Sequence, residues 1–186
     1  MRRLEAHATP LAGLRRIDRR LLGDARGYLA RLYCAEELAE AGWPGPIAQV
    51  NHTFTAERGT VRGLHFQRAP HAEAKLVSCL AGEVWDVAVD LRAGSPTFGR
   101  WHAERLSAAN GRALLIPAGF AHGFQALSRD VAMLYLHSAA YAPQAEGGLH
   151  CEDPRLAIAW PLPVRGLSPR DAAQPAFDND FRGLLP

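Results

Sequence analysis

Cysteine, long apolar runs and charge of one sign are all scarce in this chain, and each scarcity removes a class of protein. The three cysteines, Cys34, Cys79 and Cys151, lie far apart, are odd in number and form no C-x-x-C pair. Neither a disulfide framework nor a zinc site is indicated, and a reducing cytoplasm fits. No stretch reaches the roughly 18 uninterrupted apolar residues of a membrane span. The formal net charge is only +2, from 21 basic and 19 acidic residues, so the total argues for neither nucleic acid nor an anionic membrane surface. Arg2, Arg3, Arg15, Arg16, Arg19 and Arg20 concentrate near the start, but no apolar run follows them to complete a signal peptide. They read as a solvated surface.

What is present points to one β domain. A chain of 186 residues, 48% of them hydrophobic, can bury one sizeable core but not two ordinary ones. Its 13 prolines and 17 glycines are spread along the chain and cut it into short segments, which suits strands better than long helices. A single short helix is expected over 34–41, ended by Gly42. Strand signals cover 47–54, 60–67, 75–80, 84–91, 101–106, 113–116, 123–127 and 131–136, a count that predicts a sandwich or barrel. Around that body, residues 1–46 form an N-terminal arm and 141–186 a C-terminal wrap, whose Pro-, Arg-, Asp- and Gly-rich part from 161 shows little periodicity. Trp85, Val87, Val89 and Leu91 alternate with Asp86, Ala88 and Asp90, giving one apolar face and one face bearing carboxylates. The spacing by itself favours solvent for those acids over the mouth of a ligand cavity.

Three places carry residues suited to chemistry. In Arg62-Gly63-Leu64-His65-Phe66-Gln67 a charged side chain and an imidazole stand among apolar strand residues, which is costly unless both are used. Ideal alternation points Arg62 and His65 to opposite faces, so a shared site requires an irregularity, and Gly63 is the natural place for it. Lys75 opens the next strand, where a lone lysine most often reaches solvent. Pro117-Ala118-Gly119-Phe120-Ala121-His122-Gly123-Phe124 resembles the second signature of the cupin barrels, in which a Pro-x-Gly turn leads to an inward histidine. No H-x-H pair with a following glutamate lies upstream, and a divalent metal usually needs at least three protein ligands, so a cupin without metal is expected.

From Gln49 to Pro161 the chain resembles the dTDP-4-dehydrorhamnose 3,5-epimerase family. The matching segments, in order, are Gln49-Val50-Asn51, the Arg62 to Gln67 run, Ala74-Lys75-Leu76-Val77, Gly82 to Arg92, and Gly94-Ser95-Pro96-Thr97-Phe98-Gly99. The His122 segment, Tyr141-Ala142-Pro143 with Glu146, Asp153-Pro154 and Ile158-Ala159-Trp160-Pro161 follow, with outliers at Gly23 to Tyr28 and Ser168-Pro169-Arg170-Asp171. The resemblance implies a jelly-roll barrel of the cupin type, mainly β with a few short peripheral helices. It also implies a homodimer paired through N-terminal strands, and a nucleotide-linked 4-keto-6-deoxyhexose as substrate, epimerised at carbons 3 and 5 with neither metal nor redox cofactor.

In that family the ketone acidifies the neighbouring C–H bonds, so the enzyme needs a base, an acid on the opposite face and a donor for the enolate. The resemblance assigns His65 as base with Asp171 orienting it, Tyr135 as proton donor and Lys75 as enolate stabiliser, helped by His122 and Arg62. Arg26, Arg62 and Arg170 fall on the diphosphate, for which a planar guanidinium is suited. Gln49, Asn51 and Glu146 supply polar contacts, and Tyr28 stacks on the base. Two departures stand out: Arg31 replaces a common glutamate near the nucleotide base, and His150 and Cys151 replace a common Arg and Trp. Single-carbon epimerisation and sugar-nucleotide binding without catalysis are the alternative activities.

Overall fold

The structure is a computed structural model that describes residues 2–178 and 180–185. Its elements, in chain order, are β1 (Leu4–Ala8), β2 (Arg15–Arg19), β3 (Leu22–Asp24), β4 (Gly27–Leu29), α1 (Ala35–Ala41), β5 (Gln49–Thr55), β6 (Val61–Gln67) and β7 (Lys75–Ala81). Then come β8 (Glu83–Asp90), β9 (Trp101–Ser107), β10 (Arg112–Ile116), β11 (Phe120–Ala126), β12 (Val131–His137), β13 (Glu146–Gly148) and α2 (Pro169–Ala172). All eight expected strands are present within a few residues of their predicted ends, and α1 ends at Gly42 in the left-handed conformation.

Two antiparallel sheets face each other as a jelly roll. One has six strands in the order β1-β2-β10-β7-β12-β5, and the other five in the order β13-β6-β11-β8-β9. The space between them is filled from both sides by alternate residues, among them Val77, Ala88, Leu114, Phe124 and Met133. Helix α1 covers the outside of the larger sheet, where Leu38 and Trp43 pack on Ile17, Leu76 and Leu115. The C-terminal segment covers the outside of the smaller sheet, where Leu149, Leu156, Phe177 and Leu184 pack on Val87, Val89 and Leu91. Among the described residues, no helix is long and apolar enough to cross a membrane.

This layering corrects two expectations. The carboxylate face of β8 does not meet solvent. Its apolar face is needed under the C-terminal wrap, so Asp86 and Asp90 turn inward and are fully buried. Asp90 survives burial because Arg92, Ser95 and Thr97 all bond to it, and those bonds hold its pKa down to about 2 against the upward push of desolvation. The early arginines are also not all solvated. Strand β2 pairs with both β1 and β10, so its side chains alternate between faces, and Arg19 is buried with its guanidinium on the Ser78 hydroxyl, 2.6 Å away. Burial lowers its pKa to about 10.

Candidate active site

The inward rows of several strands change from apolar to polar along one length. On β12, Val131 and Met133 belong to the core while Tyr135 and His137, two and four residues on, reach a cavity. On β7 the same face runs from Cys79 through Val77 to Lys75. Register reinforces the grouping: His137 pairs with Lys75, and Asn51 of β5 with Tyr135. The cavity, about 700 Å³, is closed on the other side by His65 of β6, His122 of β11 and the Ser168–Asp171 stretch.

Arg62 and His65 both line this cavity. The irregularity that alternation demanded lies where Gly63 stands. The β6–β11 register shifts between His122 and Phe124, and Gly63 has φ of +120°. A Cβ there would sit 2.5 Å from the Gly123 Cα, so a side chain cannot be accommodated without moving β11. Arg62 then bonds to the Thr55 hydroxyl and the Phe54 carbonyl at the cavity edge.

His65 is held by a carboxylate from far along the chain. Its Nε2 lies 2.7 Å from Asp171 Oδ1. Asp171 is placed by α2, whose cap residue Ser168 accepts the Asp171 backbone N–H and whose first residue is Pro169. An ionised carboxylate only accepts, so Nε2 donates and Nδ1 carries the lone pair. Burial lowers the His65 pKa, the Asp171 bond and charge raise it, and the Arg170 and Lys75 charges lower it further. The net result is below the ordinary histidine value, a neutral imidazole with a basic nitrogen at neutral pH.

On the opposite sheet, burial and the Asp86 charge raise the Tyr135 pKa well above its usual value, so the phenol keeps its proton. Its ring meets His122 edge-on at 5.9 Å and stacks with His137 at 6.1 Å. His122 Nε2 is 2.9 Å from Asp86 Oδ2 in a second, more deeply buried histidine–aspartate pair. Lys75 is buried, against the expectation that a lone lysine at a strand start meets solvent, because β7 is central in its sheet and its first inward position opens on the cavity. Its Nζ lies 3.2 Å from Glu73 and 3.4 Å from the His65 carbonyl oxygen.

Of the other expected contacts, Asn51, Glu146 and Arg170 line the cavity, with Arg170 bonded to Glu146 at 2.8 Å. Gln49 sits beside it, bonded to Asn51 and to the Tyr141 backbone N–H. Arg26 and Tyr28 do not reach it. They lie on the exposed β3–β4 hairpin, where Arg26 pairs with Asp24. Arg31 pairs with Glu37 of α1. Cys151 is buried, and its carbonyl accepts the Trp160 indole N–H. Sequence reasoning missed Glu73, His137 and Tyr141 as cavity residues. His137 was within reach, because it follows Tyr135 by two on β12 and period-two alternation puts it on the same face, whereas Glu73 lies before β7 begins at Lys75, where strand alternation is no guide. Among the described residues no group of three or more His, Cys, Asp or Glu could hold a metal ion.

A cupin-type jelly roll that sets a carboxylate-held imidazole on one sheet against a protonated phenol on the other is built for two-sided proton transfer at carbon, the work of an epimerase. Comparison with known proteins narrows that class. The family model for dTDP-4-dehydrorhamnose 3,5-epimerase matches residues 8–179, and the chain belongs to that family. It is 42% identical over 172 residues to the dTDP-4-dehydrorhamnose 3,5-epimerase of Sinorhizobium fredii, covering 90% of this chain and 86% of that one. It is 44% identical over 165 residues to the dTDP-4-dehydrorhamnose 3-epimerase of Streptomyces niveus, covering 88% and 79%. The structure of a 3,5-epimerase from Legionella pneumophila in complex with dTDP-4-keto-L-rhamnose superposes with a TM-score of 0.90 at 40% identity, covering 98% of this chain and 99% of that one.

Proposed function

We propose that this protein converts dTDP-4-dehydro-6-deoxy-D-glucose to dTDP-4-dehydro-L-rhamnose by inverting carbons 3 and 5. The observation that carries the reading is the placement of His65–Asp171 and Tyr135 on opposite walls of one cavity, with the Lys75 ammonium beside them. His65 Nδ1 removes the proton next to the ketone, and the negative charge moves to the ketone oxygen. Lys75 stabilises that enolate, an effect worth roughly 3 kcal/mol for a preorganised donor. Tyr135 returns a proton to the opposite face as the ketone re-forms; His65 then gives its proton to solvent and the Tyr135 phenolate takes one from it, after which the sequence repeats at the second carbon.

Arg62, Arg170, Asn51 and Glu146 line the route by which the diphosphate and sugar enter. Arg26 and Tyr28 serve the same substrate from a second copy of the chain. That reading rests on the exposure of Tyr28 and Leu29 on a hairpin outside both main sheets, an arrangement that makes sense when a partner covers it. The three free thiols suit a reducing cytoplasm.

Incubation with the 4-keto-6-deoxyglucose nucleotide in heavy water, followed by proton NMR, tests the reaction. Deuterium at two ring carbons is expected. Tyr135→Phe should keep exchange at the position facing His65 while losing inverted product. The 44% identity to a 3-epimerase favours a second reading, inversion at carbon 3 alone, and lasting label at one carbon would select it.

A further inference from the structure

Glu73 stands two residues before Lys75, the first residue of β7, with its side chain 8% exposed, a carboxylate removed from water at the edge of the cavity. Such a group needs partners on both oxygens. One oxygen lies 3.2 Å from Lys75 Nζ, and the other lies 2.7 Å from His137 Nδ1. The far nitrogen of His137 is 3.4 Å from the Asn51 amide, and its ring stacks on Tyr135 with planes 19° apart. Burial pushes the Glu73 pKa up, but the His137 bond and the Lys75 charge outweigh it and hold the group ionised, below the ordinary range.

An ammonium has three N–H bonds. One is aimed at Glu73 and one at the His65 carbonyl, which leaves the third for a ligand atom in the cavity. A free lysine samples many rotamers. This one is tied at its tip from two sides, by a carboxylate that is itself tied to the ring lying against Tyr135.

We propose that Glu73, fixed by His137, is a positioning residue that holds the Lys75 ammonium at the enolate oxygen and links its placement to that of Tyr135. The inference rests on the epimerase reading above. It goes beyond that reading in giving a role to two residues outside the base, acid and stabiliser.

The chemical requirement is geometric as well as electrostatic. A donor displaced from the developing oxyanion loses most of its value, because the stabilisation depends on being in place before charge appears. Glu73→Ala should therefore lower kcat about 10²-fold with KM changed less than about threefold. Glu73→Gln keeps an oxygen for Lys75 and should lose less. The decisive measurement is a double-mutant cycle with Lys75→Ala: once the ammonium is gone, removing Glu73 should slow the reaction no further.

Losses that multiply independently, or a Glu73→Ala enzyme within about twofold of wild type in kcat, would overturn the proposal. If Glu73→Ala does not fold, the same cycle run with Glu73→Gln separates coupled from independent losses. Should the wild-type chain itself fail to exchange or invert the substrate, the epimerase reading falls and this inference with it. Wild-type turnover with additive losses removes the positioning role alone.

Discussion

Of the histidine–aspartate pairs among the described residues, two place their imidazole on the cavity, and these two differ in how they are built. His122 and Asp86 lie on neighbouring paired strands, Asp86 being two residues along β8 from Ala88, the register partner of His122. Their side chains are 6% and 0% exposed. His65 and Asp171 are 106 residues apart, joined only because the C-terminal wrap returns over the cavity, and His65 keeps 23% of its side-chain surface open. The buried pair sits among the core rows and places the Asp86 charge near Tyr135, where it helps keep the phenol protonated. Both residues of the open pair line a substrate-sized space. A histidine held by a carboxylate is thus not by itself a catalytic base: both imidazoles line the cavity, and on the mechanism proposed above the more open pair moves protons while the buried one supports the acid opposite.

Removing each histidine in turn should split activity from stability. His65→Ala should cost about 10²–10⁴ in rate, the usual worth of a positioned base, and should abolish solvent exchange into the substrate. Its thermal unfolding midpoint should move little, because Asp171 keeps the Gly63 N–H at 3.5 Å and Arg170 at 3.8 Å. His122→Ala should do the reverse in stability. Asp86 Oδ1 has no hydrogen-bond partner among the described residues, so losing His122 strands a fully buried carboxylate. The expected cost is about 3–5 kcal/mol, a drop of about 10 °C in the unfolding midpoint for a chain of this size. Equal losses of stability in the two variants would erase the distinction drawn between the pairs.

Much of this was legible in the sequence because strand periodicity is local. Strand signals placed the eight central strands and alternation marked the two faces of β8, and the conflict between alternation and a shared Arg62–His65 site pointed to Gly63, where the register shifts. What was not legible is what depends on contacts between distant segments. The strands β1 and β2 were hidden because an arginine-rich stretch looks solvated until β10 is known to pair with it. The carboxylates of β8 were assigned outward because nothing local says that a tail from 149 onward will claim the apolar face. Asp171 was recognised as the partner of His65 only through family resemblance, since no spacing rule connects residues so far apart.

The environment of the open pair can also be tuned without touching it. Arg170 lies 3.3 Å from His65 Nε2, and its charge is among the influences that lower the His65 pKa. Free enzyme loses activity as pH falls through that pKa, since the protonated ring cannot take a proton, so the acidic limb of kcat/KM reports it. Arg170→Gln removes a lowering charge, and the limb should move to higher pH. Asp171→Asn removes a raising charge, and the limb should move to lower pH. Arg170 is half-exposed and its field is screened, so the first shift should be the smaller of the two and shrink with added salt. The quantity to follow is the normalised profile, because Arg170 also lines the substrate's path and its loss will lower the absolute rate. An Arg170→Gln limb that stays in place would mean that desolvation and Asp171 alone set the base, and that Arg170 acts on the substrate only.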